Sequence, residues 1–221
     1  MIGLKSRAAL AFGMVVALSA CSNKTDDDRG IYGMLFDTVR QSAGSMGKSS
    51  AAAKPAAPAD PGAMAAEALR VNPGPLILVG LESMGTTQVL AMTGDNNGMR
   101  TYMTKNEQAL ILRNGMLVGT RGLGNDLSVA EAAGSAALIR ASRSGQAERT
   151  MRYFSGDGLE RPLPMTCTVA PGPNAGVMLE SCEGYGAKFQ NNYLVQGGRV
   201  TVSRQWIGPA LGYVTIQELR P

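Results

Sequence analysis

From residue 75 onward, apolar residues come in short runs or alternate with polar ones, and turn residues divide the runs. The segments "LILVGLES" (76–83), "TTQVLAMT" (86–93), "MRTYMT", "QALILR" and "MLVGTR" read as strands. So do "AERTMRYF", "LPMTCTVA", "GVMLESC", "KFQNNYLVQ", "RVTVSRQWI" and "LGYVTIQEL". Turns fall at Asp95–Gly98, Asn114-Gly115, Ser155–Gly158 and Gly197-Gly198. Asn-Gly between two apolar runs is the strongest short hairpin signal. About ten strands at this spacing predict a mainly β domain over 75–221, an antiparallel β-sandwich or open barrel. One helix interrupts it. Ser128-x-x-Glu131 has the form of a capping box, and "VAEAAGSAALIRAS" (129–142) is Ala-rich with a broad apolar face.

An internal echo accompanies this pattern. Aligning the turns at Gly115 and Gly198 sets "ALILRNGMLVGTRGL" over "NYLVQGGRVTVSRQW", and Arg121 falls on Arg204. The alignment predicts two related β-halves bridged by the 128–142 helix.

Upstream of residue 75 the character differs. Lys5 and Arg7 precede the apolar run "AALAFGMVVAL" (8–18), which is too short to settle across a bilayer. It ends in "LSAC", the pattern of a bacterial lipobox. This predicts a signal peptide over 1–20 and acylation of Cys21, palmitate included. Several buried acyl chains hold a protein at a membrane durably, at about 0.8 kcal/mol per methylene. Ser22 rather than Asp after the cysteine points to the outer membrane, with the body facing the periplasm. Residues 21–74 read as a tether. Within it, "IYGMLFDTVRQSA" (31–43) has helical spacing of apolar residues at 31, 34, 35 and 39. "GSMGKSSAAAKPAAPADPG" (44–62) is a Pro- and Ala-rich disordered linker, and "AMAAEALRV" (63–71) another helical turn or two.

Charge and cysteine usage narrow the function. The formal charge is +4, but without Lys5 and Arg7 only 19 basic residues face 17 acidic ones, which argues against nucleic-acid binding. There is no histidine, so Ser-His-Asp triads, Cys-His dyads and His-ligated metals are excluded. Between Cys167 and Cys182 lies "TVAPGPNAGVMLES", which contains the turn sequence "PGPN". A hairpin centred between Asn174 and Ala175 would set them opposite each other, and an oxidising compartment favours a structural disulfide.

The glycines of "RNGMLVGTRGLGNDL" (113–127) raise the question of a phosphate cradle. Their order, G-x-x-G-x-G, is the reverse of a dinucleotide fingerprint, no GKS or GKT follows, and ATP and NAD are absent from the periplasm. The glycines read instead as a thinned strand and an exit from the sheet. Arg121 and Arg204 lie on apolar strand faces. They either snorkel at the rim, pair with buried carboxylates, or contact an anionic ligand such as an acidic polysaccharide. Trp206, Tyr193 and Tyr213 suit either core packing or sugar stacking. Asp157/Glu160 and Glu180/Glu183 have nothing to mark them as a glycosidase pair. No catalytic residue, metal or cofactor is expected.

Two segments carry a resemblance. "GMLVGTRGLGNDL" follows a GR-hydrophobic-V-x-T-x-GL-x-x-(D/N)L pattern, with Met116 where arginine is common. "SRQWIGPALGY" (203–213) follows S-x-QW-x-x-P-x-x-GY. With the Arg152-Tyr153 strand, they make residues 75–221 similar to the YjbF (GfcB-like) family of capsule and exopolysaccharide lipoproteins. The resemblance implies a non-enzymatic accessory lipoprotein. Its partners would be a companion periplasmic protein and an outer-membrane barrel protein of a polysaccharide export system. The alternative is a carbohydrate-binding module for an acidic polysaccharide, using Arg121, Arg204, Trp206 and Tyr213.

Overall fold

The computed structural model describes residues 60–154 and 159–221. The signal peptide, Cys21, the 31–43 segment, most of the 44–62 linker and the Ser155–Gly158 turn lie outside these residues.

Twelve strands form one antiparallel sheet, curled into a nearly closed, barrel-like shape. The first five, β1 (Leu76–Leu81), β2 (Thr86–Asn96), β3 (Met99–Met103), β4 (Ala109–Arg113) and β5 (Met116–Arg121), form one meander. A second meander holds β6 (Leu127–Glu131), β7 (Gly145–Phe154), β8 (Glu160–Pro171), β9 (Val177–Gly184), β10 (Ala187–Gln196), β11 (Arg199–Gly208) and β12 (Gly212–Arg220). Pairing of β1 with β12 joins the two edge to edge. Helix α1 (Pro61–Val71) leads into β1, and α2 (Ala133–Arg140) follows β6.

Local chemistry explains the hairpins. Four two-residue loops have positive φ at both central positions: Asn97-Gly98, Asn114-Gly115, Tyr185-Gly186 and Gly197-Gly198. Such turns match the natural twist of paired strands. The side-chain period of two then fills the interior. Val79, Ile216, Ser203, Tyr193 and Met178 stand opposite one another across five adjacent strands, all buried. A second row runs Cys167, Cys182, Phe189.

The internal echo holds at the level of the hairpins. The β4–β5 register shifts so that Val118 is the extra residue, and the β10–β11 register shifts at Thr201, the aligned position. Both hairpins sit inside meanders of consecutive neighbours.

The helix begins later than its capping signal suggests. Residues Leu127–Glu131 are β6, and α2 starts at Ala133 with Ala132 as a cap that makes no side-chain bond. The ladder with β7 and the burial of Leu127 and Ala130 outweigh the local signal. Ser128 spends its hydroxyl on Glu160 rather than on a helix N–H. This raises the strand count from about ten to twelve. In α2 itself, Ile139 is fully buried and packs with Met116, Val169, Met178 and Tyr193. The 63–71 expectation corresponds to α1, which Asp60 caps through Gly62 N–H at 3.1 Å. Arg220 of the last strand donates to the carbonyls of Leu69 and Asn72 at its C-terminal end.

Candidate functional site

The glycine cluster lies at the seam where the sheet almost closes. No backbone ladder joins β5 to β6; side chains do the joining. Thr120 Oγ1 donates to Asp126 Oδ1 at 2.8 Å and accepts from Leu127 N–H at 2.9 Å. Asp126 also accepts from the N–H groups of Gly122 (2.8 Å) and Leu123 (3.1 Å). The loop therefore cradles an anion of its own. Gly119 allows the approach, since a Cβ there would meet Ser128 O at 3.3 Å and Leu127 O at 3.5 Å. Arg121 donates across the seam to the carbonyls of Leu127 (3.2 Å) and Ser128 (3.4 Å).

Arg204 has a different role from its aligned partner. Its guanidinium makes a bidentate pair with Glu82, at 2.6 and 2.7 Å, and lies 3.5 Å above the centre of the Tyr213 ring. This is the carboxylate-paired alternative, with the planar fork and cation–π contact typical of arginine. Tyr213 OH accepts from Gln190 N–H at 3.2 Å. Trp206 is buried, and its ring stacks on Phe189 at 4.5 Å. Tyr193 is fully buried. Of the four candidate glycan or partner contacts, Arg204 stacks on Tyr213, and Tyr213 stands opposite Trp206 in the β11–β12 ladder. Arg121 is at the seam, and the ring of Trp206 faces Phe189 rather than an open surface.

Cys167 and Cys182 are paired in register and joined as a disulfide, centred on the turn as the spacing requires. The Glu180 carboxylate lies near both sulfurs, but their bond to each other leaves no thiolate to ligate a metal. Glu180 and Glu183 do not work together. Glu183 is exposed beside Lys188 at 3.5 Å, whereas Glu180 is buried completely. Asp157 lies outside the described residues, and Glu160 accepts from Ser128.

Glu180 anchors a polar network inside the barrel. Its Oε2 accepts from Arg149 Nη1 at 3.0 Å, Asn191 Nδ2 at 2.8 Å and Tyr193 OH at 2.8 Å. Asn191 Oδ1 in turn accepts the Trp206 N–H at 2.7 Å. Gln205 reaches over to β5, accepting from Leu117 N–H at 2.9 Å and donating to Gly115 O at 3.0 Å. Burial pushes the Glu180 carboxyl up, but the Arg149 charge and the donors Asn191 and Tyr193 outweigh it. Its pKa is held below the usual carboxylate range. Burial, then the Glu180 charge, push Tyr193 well above the usual phenol value. The criterion that singles out Arg121 and Arg204 also applies to Arg149, which sits between Ala147 and Met151 on one strand face.

The fold and this interior define a class: a small antiparallel, nearly closed barrel-like β domain with a buried polar network around Glu180, in which Arg149 Nε and Nη2 find no hydrogen-bond partner among the described residues. A family model described as group 4 capsule polysaccharide lipoprotein gfcB, YjbF matches residues 50–219. The chain belongs to the YjbF family. No curated protein sequence matches it. Among solved structures it is similar to the hypothetical lipoprotein YmcC from Escherichia coli K12, at 19% identity and a TM-score of 0.59. That alignment covers 71% of this chain and 89% of the other, and it supports the shared fold.

Proposed function

We propose that this chain is a lipid-anchored accessory protein of exopolysaccharide or capsule secretion, held at the outer membrane through Cys21 and facing the periplasm. It acts through contacts with other export proteins rather than through catalysis. The observation that carries the reading is the family match, which spans almost the whole described domain. The interior chemistry agrees with it. Arg149, Glu180, Asn191 and Gln205 are all buried and bond to one another or to backbone, although Arg149 Nε and Nη2 find no partner among the described residues. None of the described helices is long and apolar enough to cross a membrane; the anchor in this reading is the lipobox cysteine, Cys21. The companions are a periplasmic protein and an outer-membrane barrel of the export system.

Replacing Cys21 by Ala tests the reading in cells. The variant should leave the membrane fraction and lower polymer secretion. Unchanged fractionation together with unchanged secretion would sink it.

A further inference from the structure

A groove of about 690 Å³ runs between the β3–β5 surface and the β6–α2 segment. Its floor is aliphatic: Ile111, Val118, Val129, Ala133 and Ala137. Val129 is 37% exposed although fully apolar. Three arginines also line it, and no described carboxylate pairs with any of them. The Arg113 side chain makes no hydrogen bond or ion pair among the described residues. Arg121 and Arg140 meet only backbone carbonyls, Arg140 donating to Gly198 O at 3.1 Å. The one acid in the lining, Glu131, is held by Arg152 at 3.2 Å. An apolar floor with unbalanced positive charge calls for an amphipathic, acidic occupant, the helix-in-groove mode of recognition.

This chain carries such a segment. "DDDRGIYGMLFDTV" (26–39) places three aspartates ahead of an apolar series at 31, 34, 35 and 39. On a helix, Asp27 and Asp28 stack one turn before Ile31, on the face that Met34 and Leu35 share. Lengths agree as well. Met116 to Arg121 of the groove wall spans about 17 Å of strand, and twelve helical residues span about 18 Å. The chain between Val39 and Asp60 can extend to about 70 Å at most. A domain of about 160 residues has a radius of gyration near ~15 Å, so every face is within reach. Tethering sets the local concentration on the order of millimolar.

We infer that residues 26–39 of this chain occupy the groove, apolar face on the floor and aspartates toward the arginines. The lipid-proximal segment thereby docks onto the domain it tethers.

The test uses the full, lipidated chain in cells. Leu35→Cys combined with Val129→Cys should form an intramolecular disulfide, whereas Leu35→Cys with Tyr185→Cys, an exposed turn position, should not. Arg113→Glu with Arg140→Glu should cut the 35–129 yield several-fold, and adding Asp27→Lys and Asp28→Lys should restore it. Equal crosslinking to 129 and 185, a 35–129 bond found only between two chains, or no rescue by the charge swap would overturn the inference. A single-cysteine measurement stands apart from pair folding. Maleimide labelling of Val129→Cys should quicken several-fold when residues 26–43 are deleted, and an unchanged rate counts against docking.

Discussion

The ion pair inside the barrel gives the sharpest prediction. Arg149 and Glu180 are both fully buried and 3.0 Å apart. Breaking a buried pair from one side leaves an uncompensated charge, at about 3–5 kcal/mol. Against a total stability of about 5–15 kcal/mol, either single substitution removes a large share. The two differ in their pH dependence. In the wild type, the Glu180 pKa is depressed, so its contribution is present above the ordinary carboxylate pKa and fades as the pH falls through the folded value. In Arg149→Met the guanidinium is gone and burial raises the carboxyl instead. The stranded carboxylate can then take up a proton, so the deficit relative to wild type shrinks as the pH falls from 7 toward 5. Glu180→Gln strands a guanidinium, which cannot deprotonate in this range, and its deficit persists. Urea unfolding followed by the fluorescence of Trp206, the only tryptophan, reads both. At a slope of about 2 kcal/mol per molar, the midpoints should drop by roughly 2 M at pH 7. Losses below about 1 kcal/mol for both variants, or an Arg149→Met deficit that grows in acid, would refute the reasoning.

Two glycines offer a matched comparison. Gly98 and Gly115 occupy the same turn position at φ 79° and 80°, but a Cβ on Gly115 would lie 2.6 Å from Val200 Cβ, and one on Gly98 meets nothing. Gly98→Ala should cost about 1–2 kcal/mol of backbone strain, Gly115→Ala clearly more, and equal thermal shifts would disprove the packing account. Removing the disulfide as Cys167→Ser with Cys182→Ser should lower stability by about 3 kcal/mol, for a closed loop with a separation of 15 residues, measured against the oxidised protein in urea. Arg204→Lys keeps the charge but loses the bidentate fork to Glu82 and the flat stacking on Tyr213. It should cost about 1–2 kcal/mol, and a neutral result in thermal unfolding would show that charge alone suffices there.

Local signals made much of the fold legible. Asn114-Gly115 needs only its own two residues to adopt positive φ, so the hairpin is readable from the dipeptide. The disulfide was readable because side-chain alternation and a central turn fix which residues face each other. Signals that compete with a distant partner were not. Ser128-x-x-Glu131 is a sound capping box, yet β7 recruited those residues into a ladder. Arg121 and Arg204 match in sequence, but one meets β6 carbonyls and the other Glu82, 122 positions away.

The sequence by itself determined the alternating strands, the turns, the cysteine pairing and the lipobox, because each depends on residues close together or on a strict period of two. Only the tertiary structure decided that the two meanders join through β1 and β12, and that Gly119 and Asp126 build the seam. It alone brought Arg149 to Glu180 and turned Trp206 onto Phe189. Those outcomes follow from the strand order and the curl of the sheet. Strand order puts β10 beside β11 and leaves only β8 between β7 and β9, and the curl brings β5 up to β6. Burial then makes a satisfied partner worth several times what it is in water.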